Sequence, residues 1–210
     1  MVFSEKKDRL FSTGRIEALS DGVFAIVMTI LVLDLKAPAN PDRLGHELFK
    51  NFISGLGEPL FNFFISFLLL SLFWIWQHRQ FKEIRRTDPV HITINLAFLA
   101  VVSLIPFSTS LMSRFIDLWE ADMVFHFNIL AAGLLLLLNW HYATRKKRLV
   151  DKDIDPEVVA REMRRSLTAP LMALFGIITS FFITGDSSAV YVLIPFMSTI
   201  GGACDSDAPE

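Results

Sequence analysis

The stretch VFHFNILAAGLLLLLNWHY, residues 124–142, decides the fold class of this chain. It holds no Asp, Glu, Lys or Arg, and its centre is the apolar run Leu134–Leu138. A helix needs about 20 mostly apolar residues to cross roughly 30 Å of hydrocarbon, and this stretch has nearly that length. Apolar and polar residues do not alternate along it, as they would in a strand of a membrane barrel. The stretch therefore predicts a membrane-spanning α-helix.

The composition of the whole chain agrees with a membrane protein. The 210 residues are 52% hydrophobic and 20% charged, and the mean hydropathy is +0.46. A soluble domain of this length could not remove so much apolar surface from water, which argues against a small soluble enzyme. One Cys excludes a disulfide framework or a Cys-based zinc cluster, and a net charge of −2 gives no support for nucleic-acid binding.

Six segments of the chain resemble membrane helices in length and composition. Their approximate bounds are 16–35, 59–80, 89–113, 122–142, 165–185 and 187–203. Helices and closed barrels are the structures that can span a membrane, and the apolar segments do not alternate like barrel strands, so we expect an all-α fold. No internal repeat is visible, so we expect one six-transmembrane-helix bundle over residues 1–210. The tail at 204–210 is expected to be disordered. Pro106 is expected to kink the third helix. Asp155 and Pro156 have the residue types of a helix start, so they predict a helix in the long loop 143–164.

The basic residues predict the orientation of the chain in the membrane. With six crossings and the N-terminus inside, sixteen of the twenty Lys and Arg residues fall on the inner side. Basic residues concentrate in cytoplasmic loops, so we expect both termini in the cytoplasm and the chain in the plasma membrane. Residues 1–15 lack a cleavage site and predict a cytoplasmic lead-in rather than a signal peptide. The cluster Arg145–Arg148 is mainly a topology determinant, with anionic lipid binding as an alternative.

The first predicted helix is an unusual membrane helix. Only about 12 uncharged residues separate Asp21 from Asp34, and at about 1.5 Å each they cover roughly 18 Å. Ionisable groups at membrane depth usually face the protein interior or a water path. At about 100° per residue, one apolar stripe of this helix holds Leu19, Gly22, Ile26, Thr29, Ile30 and Leu33. Ordinary core packing is one interpretation of the stripe, and lining a water path is the other.

Several motifs in the first half of the chain resemble one family. Residues 15–26, RIEALSDGVFAI, resemble the R-x-x-x-F-S-D-G signature of the TMEM175-like potassium channels, with Leu19 in place of Phe. The stretches FWIWQHRQF at 73–81, INL at 94–96 and LIPF at 104–107 resemble that family's second and third helices. The likeness is weak over the later helices, where only the topology agrees.

The resemblance implies a homotetramer whose first helices line a pore for K⁺, without a re-entrant filter, an enzymatic cofactor or a bound metal. It implies a constriction at Ile26 and further pore-lining positions at Thr29, Ile30 and Leu33. The Thr29 hydroxyl is the candidate for K⁺ selectivity, and Asp34 is expected to concentrate cations at the outer mouth.

A structural polar network is expected at the other end of the first helix. It would join Arg15, Ser20, Asp21 and His78, either between helices of one chain or between subunits, and hold the pore helix in place, because a buried carboxylate needs donors. The alternative is a local helix cap formed by Ser20 and Asp21.

Two further function classes stay open at this point. A secondary transporter or proton-coupled carrier is the main alternative, although the chain lacks the internal repeats and paired broken helices of that class. An intramembrane enzyme is disfavoured, since H-E-x-x-H and G-x-S-x-G are absent from the sequence. We therefore expect no enzymatic activity.

Overall fold

The computed structural model describes residues 11–36, 46–115, 118–182 and 187–194. The chain is almost entirely helical within these ranges. The helices are α1 (Gly14–Ile30), α2 (His46–Gly55), α3 (Gly57–Glu83), α4 (Pro89–Ser103), α5 (Ile105–Arg114), α6 (Trp119–Thr144) and α7 (Pro156–Ser180). Short 3₁₀ turns follow α1 at Leu31–Asp34, α6 at Arg145–Lys147 and α7 at Ser187–Leu193.

Four helical stretches among the described residues are long and apolar enough to cross a membrane. They are Gly14–Asp34, Phe49–Glu83, Pro89–Arg114 and Trp119–Lys147, which correspond to the first four predicted segments. The predicted segment 165–185 lies largely in the second half of α7, whose first half is rich in charged residues. The predicted segment 187–203 is described only as far as residue 194, and the tail 204–210 lies outside the described residues. The count of six crossings therefore stays a prediction.

The third predicted segment, 89–113, corresponds to one span, Pro89–Arg114, which consists of two consecutive helices. α4 ends at Ser103 and α5 begins at Ile105, so the chain breaks at Leu104, two residues before the expected kink at Pro106. Pro106 lies in the first turn of α5, where its missing N–H removes no helical hydrogen bond. The backbone at Leu104 stays in the right-handed helical region (φ −85°, ψ −9°), so the helical hydrogen bonding is interrupted at a single residue. The bend expected at Pro106 stays a prediction.

The long loop before α7 ends as predicted. Asp155 is the N-cap of α7, and its carboxylate accepts a hydrogen bond from the backbone N–H of Glu157 at 2.9 Å. Pro156 occupies the first helical position, where its fixed φ is already helical. These two residues explain why the helix begins here.

α6 and α7 approach each other closely at two glycines. A Cβ on Gly133 would lie 2.7 Å from Cδ of Pro170, and one on Gly176 would lie 2.6 Å from the His126 ring. Gly133 therefore lets the backbone of α7 at Pro170 come close to α6, and Gly176 makes room for the buried ring of His126. Such small-residue contacts are typical of helices that pack within a membrane.

Asp88 joins three segments at the basic end of the bundle, which we define by residues 84–88 and 145–155. Its carboxylate accepts hydrogen bonds from the backbone N–H of His91 (2.9 Å), the Tyr142 hydroxyl (2.8 Å) and Nε of Arg148 (2.9 Å). Burial acts to raise the pKa of this carboxyl, but the three partners favour its charged form, and its pKa lies below the usual value. The ionised Asp88 carboxylate therefore stabilises the folded state fully above the usual Asp pKa. This contribution to stability is lost as the pH falls through the lowered pKa of Asp88.

Candidate ion pathway along the first helix

One face of α1 is left uncovered by the described residues. Ile26 is 60% exposed and Leu33 is 67% exposed, although both are large apolar side chains. Thr29 and Ile30 on the same face are exposed as well, as are Leu19 and Gly22. The structure thus brings the predicted stripe together on one open surface, and ordinary core packing within the chain does not explain it.

Thr29 keeps its hydroxyl close to its own helix. Its Oγ lies 2.8 Å from the carbonyl oxygen of Ile26 and 3.1 Å from that of Ala25, so the hydroxyl donates its hydrogen to the preceding turn. A hydroxyl that donates in this way keeps its two lone pairs as acceptors. The Thr29 oxygen is therefore oriented to accept a bond from water or to coordinate a cation on the open face.

Asp34 is held by α5 at the far end of the first helix. Its Oδ1 accepts a hydrogen bond from the Ser110 hydroxyl at 2.8 Å, and a guanidinium nitrogen of Arg114 lies 3.9 Å away. The side chain of Arg114 is more than half exposed, so it compensates the carboxylate charge only in part. Asp34 thus lies beside the last turn of the open face with its side chain bonded to α5.

The four residues of the predicted polar network do not form one cluster within the chain. Asp21 is exposed and accepts a hydrogen bond from Nε1 of Trp74 at 2.8 Å, and the Trp74 ring stacks on His78 with 5.6 Å between ring centroids. Arg15 is exposed and pairs with none of the described residues. The structure therefore brings Asp21 and His78 to either side of Trp74, a residue that the sequence analysis did not include.

Ser20 belongs to a separate, buried chain of hydrogen bonds. Its Oγ accepts a bond from Nε2 of Gln77 at 3.1 Å, and the same amide group donates to Asn95 at 2.7 Å. The chain continues through Asn139 to Gln80. Together these side chains link α1 to α3, α4 and α6.

The sequence analysis missed the two glutamines of this chain of hydrogen bonds. A signal for them was present, because an amide inside an apolar membrane helix needs a partner on another helix. The partner of each glutamine amide depends on how the helices pack, and a single sequence does not contain that packing.

The described residues hold no group of three or more His, Cys, Asp or Glu side chains able to bind a metal ion.

Comparison with known proteins gives the same family as the sequence motifs. The model of the family described as "Endosomal/lysosomal potassium channel TMEM175" matches residues 15–106. A protein from Streptomyces collinus named as a potassium channel is 32% identical over 163 residues, which cover 74% of this chain and 76% of that protein. A potassium channel from Chamaesiphon minutus is 31% identical over 172 residues, covering 80% of this chain and 84% of the relative.

A solved structure has the same architecture. The crystal structure of a lysosomal potassium-selective channel TMEM175 homolog from Chamaesiphon minutus superposes with a TM-score of 0.74 at 27% sequence identity. The match covers 90% of this chain and 97% of that one.

The fold and the open apolar face thus define an all-helical, multi-pass membrane protein. The chain belongs to the TMEM175 potassium channel family, as its motifs predict. That family is one of ion channels rather than enzymes.

Proposed function

We propose that this protein is a potassium-permeable channel, a homotetramer in which four copies of α1 surround a central pore. The observation that carries the proposal is the open face of α1, where Ile26, Thr29, Ile30 and Leu33 lie together. Large apolar side chains on an uncovered face are typical of a surface that meets another molecule. The relatives named as potassium channels support K⁺ as the permeant ion.

Ile26 forms the gate in this proposal. Four branched side chains around one axis make a narrow apolar ring, which closes to ions when water leaves it. A small rotation or outward movement of the four helices lets water return, and K⁺ then passes down its gradient. Ile30 and Leu33 extend the apolar path toward Asp34, which raises the local cation concentration at the outer mouth.

Thr29 supplies the selectivity in this proposal. Its oxygen lies one helical turn beyond Ile26 and has lone pairs left for a partly dehydrated cation. A single ring of hydroxyls offers far fewer ligands than a carbonyl filter, so the preference for K⁺ over Na⁺ is modest.

The proposed arrangement in the membrane has six crossings, both termini in the cytoplasm and the chain in the plasma membrane. The distribution of Lys and Arg supports it, since the basic end of the bundle then faces inward. A cavity of about 340 Å³ at that end is lined by Tyr142, Arg145, Lys146 and Arg148, which suits the headgroup of an anionic lipid.

Two measurements on the purified protein test the proposal. Planar-bilayer recording under a K⁺/Na⁺ bi-ionic gradient should give unitary currents with a reversal potential that favours K⁺. Saturable flux that depends on a counter-ion, without unitary currents, would instead indicate a secondary transporter or proton-coupled carrier. Native mass measurement should give four chains per particle, and a monomer would remove the central pore.

A further inference from the structure

A second cavity lies where the end of α3 faces the start of α7. It has a volume of about 520 Å³. We call it the α3–α7 cavity; its lining comprises His78, Arg79, Lys82, Glu83, Val158, Arg161, Glu162 and Arg165. Seven of these eight side chains are charged or titratable.

The charge of the α3–α7 cavity favours an anion. Its lining carries four Lys or Arg residues against two carboxylates, so its net charge is +2 with His78 neutral. One of the carboxylates, Glu162, is buried beside Arg165 at 2.6 Å and Arg161 at 3.8 Å. A guanidinium has five N–H donors, so one carboxylate oxygen does not use up the donors of Arg165. The other two cations, Arg79 and Lys82, are exposed on the last turns of α3.

The residue types and net charge of the lining suit a phosphate group. Planar guanidinium groups bind phosphate oxygens in pairs, and a lysine adds a mobile point charge. A phosphate monoester brings about two negative charges near pH 7, which offset the +2 of the lining, and pyrophosphate brings more negative charge than a monoester. The volume exceeds that of one phosphate group and leaves room for a second phosphate or part of a headgroup.

The α3–α7 cavity is connected to α1 by two routes. His78 stacks on Trp74, and Trp74 donates a hydrogen bond to Asp21 on α1. On the α7 side, the Ser166 hydroxyl donates to the carbonyl oxygen of Glu162 and accepts from Gln80 at 2.9 Å. Gln80 belongs to the buried chain of hydrogen bonds that reaches Ser20 on α1.

We propose that the α3–α7 cavity binds a phosphate-bearing anion and that its occupancy changes the position of α1. The phosphate comes either from a lipid headgroup or from a soluble phosphorylated molecule, since the chemistry of recognition is the same. Binding of the anion does not depend on the channel function proposed above. The effect of the anion on conduction does rest on that proposed function.

Two variants that each lose two positive charges distinguish binding in the α3–α7 cavity from a general attraction of anions to the protein. Arg79→Gln/Lys82→Gln removes two exposed cations of the α3–α7 cavity and leaves the buried Glu162 pair intact. Lys152→Gln/Arg164→Gln is the matched control, because both residues are exposed and neither lines the cavity. The protein is reconstituted in phosphatidylcholine nanodiscs, and inorganic pyrophosphate is titrated by calorimetry. In parallel, the thermal unfolding midpoint is compared with and without phosphatidic acid in the bilayer.

The cavity variant should bind at least about tenfold more weakly than the wild type and the control. Binding of pyrophosphate supports a soluble ligand, and a higher unfolding midpoint with phosphatidic acid alone supports a lipid ligand. Equal binding by the two variants, or no response to either phosphate source, overturns the site.

Potassium flux from liposomes tests the second half of the proposal. The phosphate source that binds should change the flux of the wild type and the control but not that of the cavity variant. Unchanged flux with intact binding overturns the coupling to α1. Absent flux in every sample with intact binding contradicts the proposed channel and leaves the binding site standing.

Discussion

The two faces of the first helical stretch are both largely apolar, yet the part of the chain that the structure describes covers one of them and leaves the other exposed. Phe24, Val27 and Leu31 are buried in the core that α1 forms with α3 and α4, and Phe24 is only 1% exposed. Ile26 and Leu33 on the other face are more than half exposed. Packing among the described residues stabilises the first face and leaves the second face exposed. Substitutions on the two faces should therefore act by different routes.

The largest effect is expected on the covered face. Phe24→Ala removes a ring whose centroid lies 6.1 Å from that of Phe98, and the cavity left behind should lower the free energy of unfolding by about 3–5 kcal/mol. Ile30→Ala on the open face is the matched control, with an expected loss below about 1 kcal/mol. Unfolding in detergent micelles measures both. Equal losses would contradict the division between the two faces.

The second prediction concerns the open face. Ile26→Asn should raise K⁺ flux into liposomes at least about tenfold, equivalent to about 1.4 kcal/mol, because a polar ring stays wet. Ile26→Val keeps the ring apolar and should leave the flux near that of the wild type. The comparison requires equal amounts of reconstituted protein. If Ile26→Asn and Ile26→Val behave alike, Ile26 is not the constriction.

A smaller effect is expected at the boundary between the faces, where Asp21 meets Trp74. Asp21→Ala and Trp74→Phe should each reduce the yield of tetramer, since each loses one hydrogen bond worth about 1 kcal/mol. The double variant should lose little more than either single one, because both changes remove the same contact. Trp119→Phe is the control for a change of indole to phenyl. Normal assembly with altered selectivity would place Asp21 in the conduction path instead.

The smallest effect is expected at Thr29. Thr29→Val keeps the shape of the side chain but removes the hydroxyl, so the K⁺/Na⁺ permeability ratio should fall a few-fold, equivalent to less than about 1 kcal/mol. Thr29→Ser retains the oxygen and should preserve the ratio. The reversal potential under bi-ionic conditions measures the K⁺/Na⁺ permeability ratio of each variant. A reversal potential that does not move in Thr29→Val would exclude this hydroxyl from selectivity.

The candidate site could be predicted in part, and the division follows the range of the interactions. Ile26, Ile30 and Leu33 fall on one face because helix geometry depends only on neighbouring residues. The partner of Asp21 could not be predicted, since Trp74 lies more than fifty positions away along the chain and meets it only after α1 and α3 pack. The same holds for Ser20 and Gln77, whose hydrogen bond crosses between two helices.

The predicted third helix shows the same limit within a single segment. Its apolar run indicated one span over 89–113, but hydropathy does not report whether a helix stays continuous. The chain breaks at Leu104, with Pro106 in the first turn that follows. A proline marks a weak point in a helix, but the residue at which the helical hydrogen bonds are interrupted is known only from the structure.

The amino-acid sequence alone determined that this protein is helical, that it lies in a membrane and that α1 carries an apolar stripe. Those properties depend on the length and periodicity of apolar runs, which are local. Only the tertiary structure decided which face of α1 stays open, which amides pair in the interior and which charges line the α3–α7 cavity. Each of these depends on contacts between helices far apart in the chain, and their geometry exists only once the helices have packed.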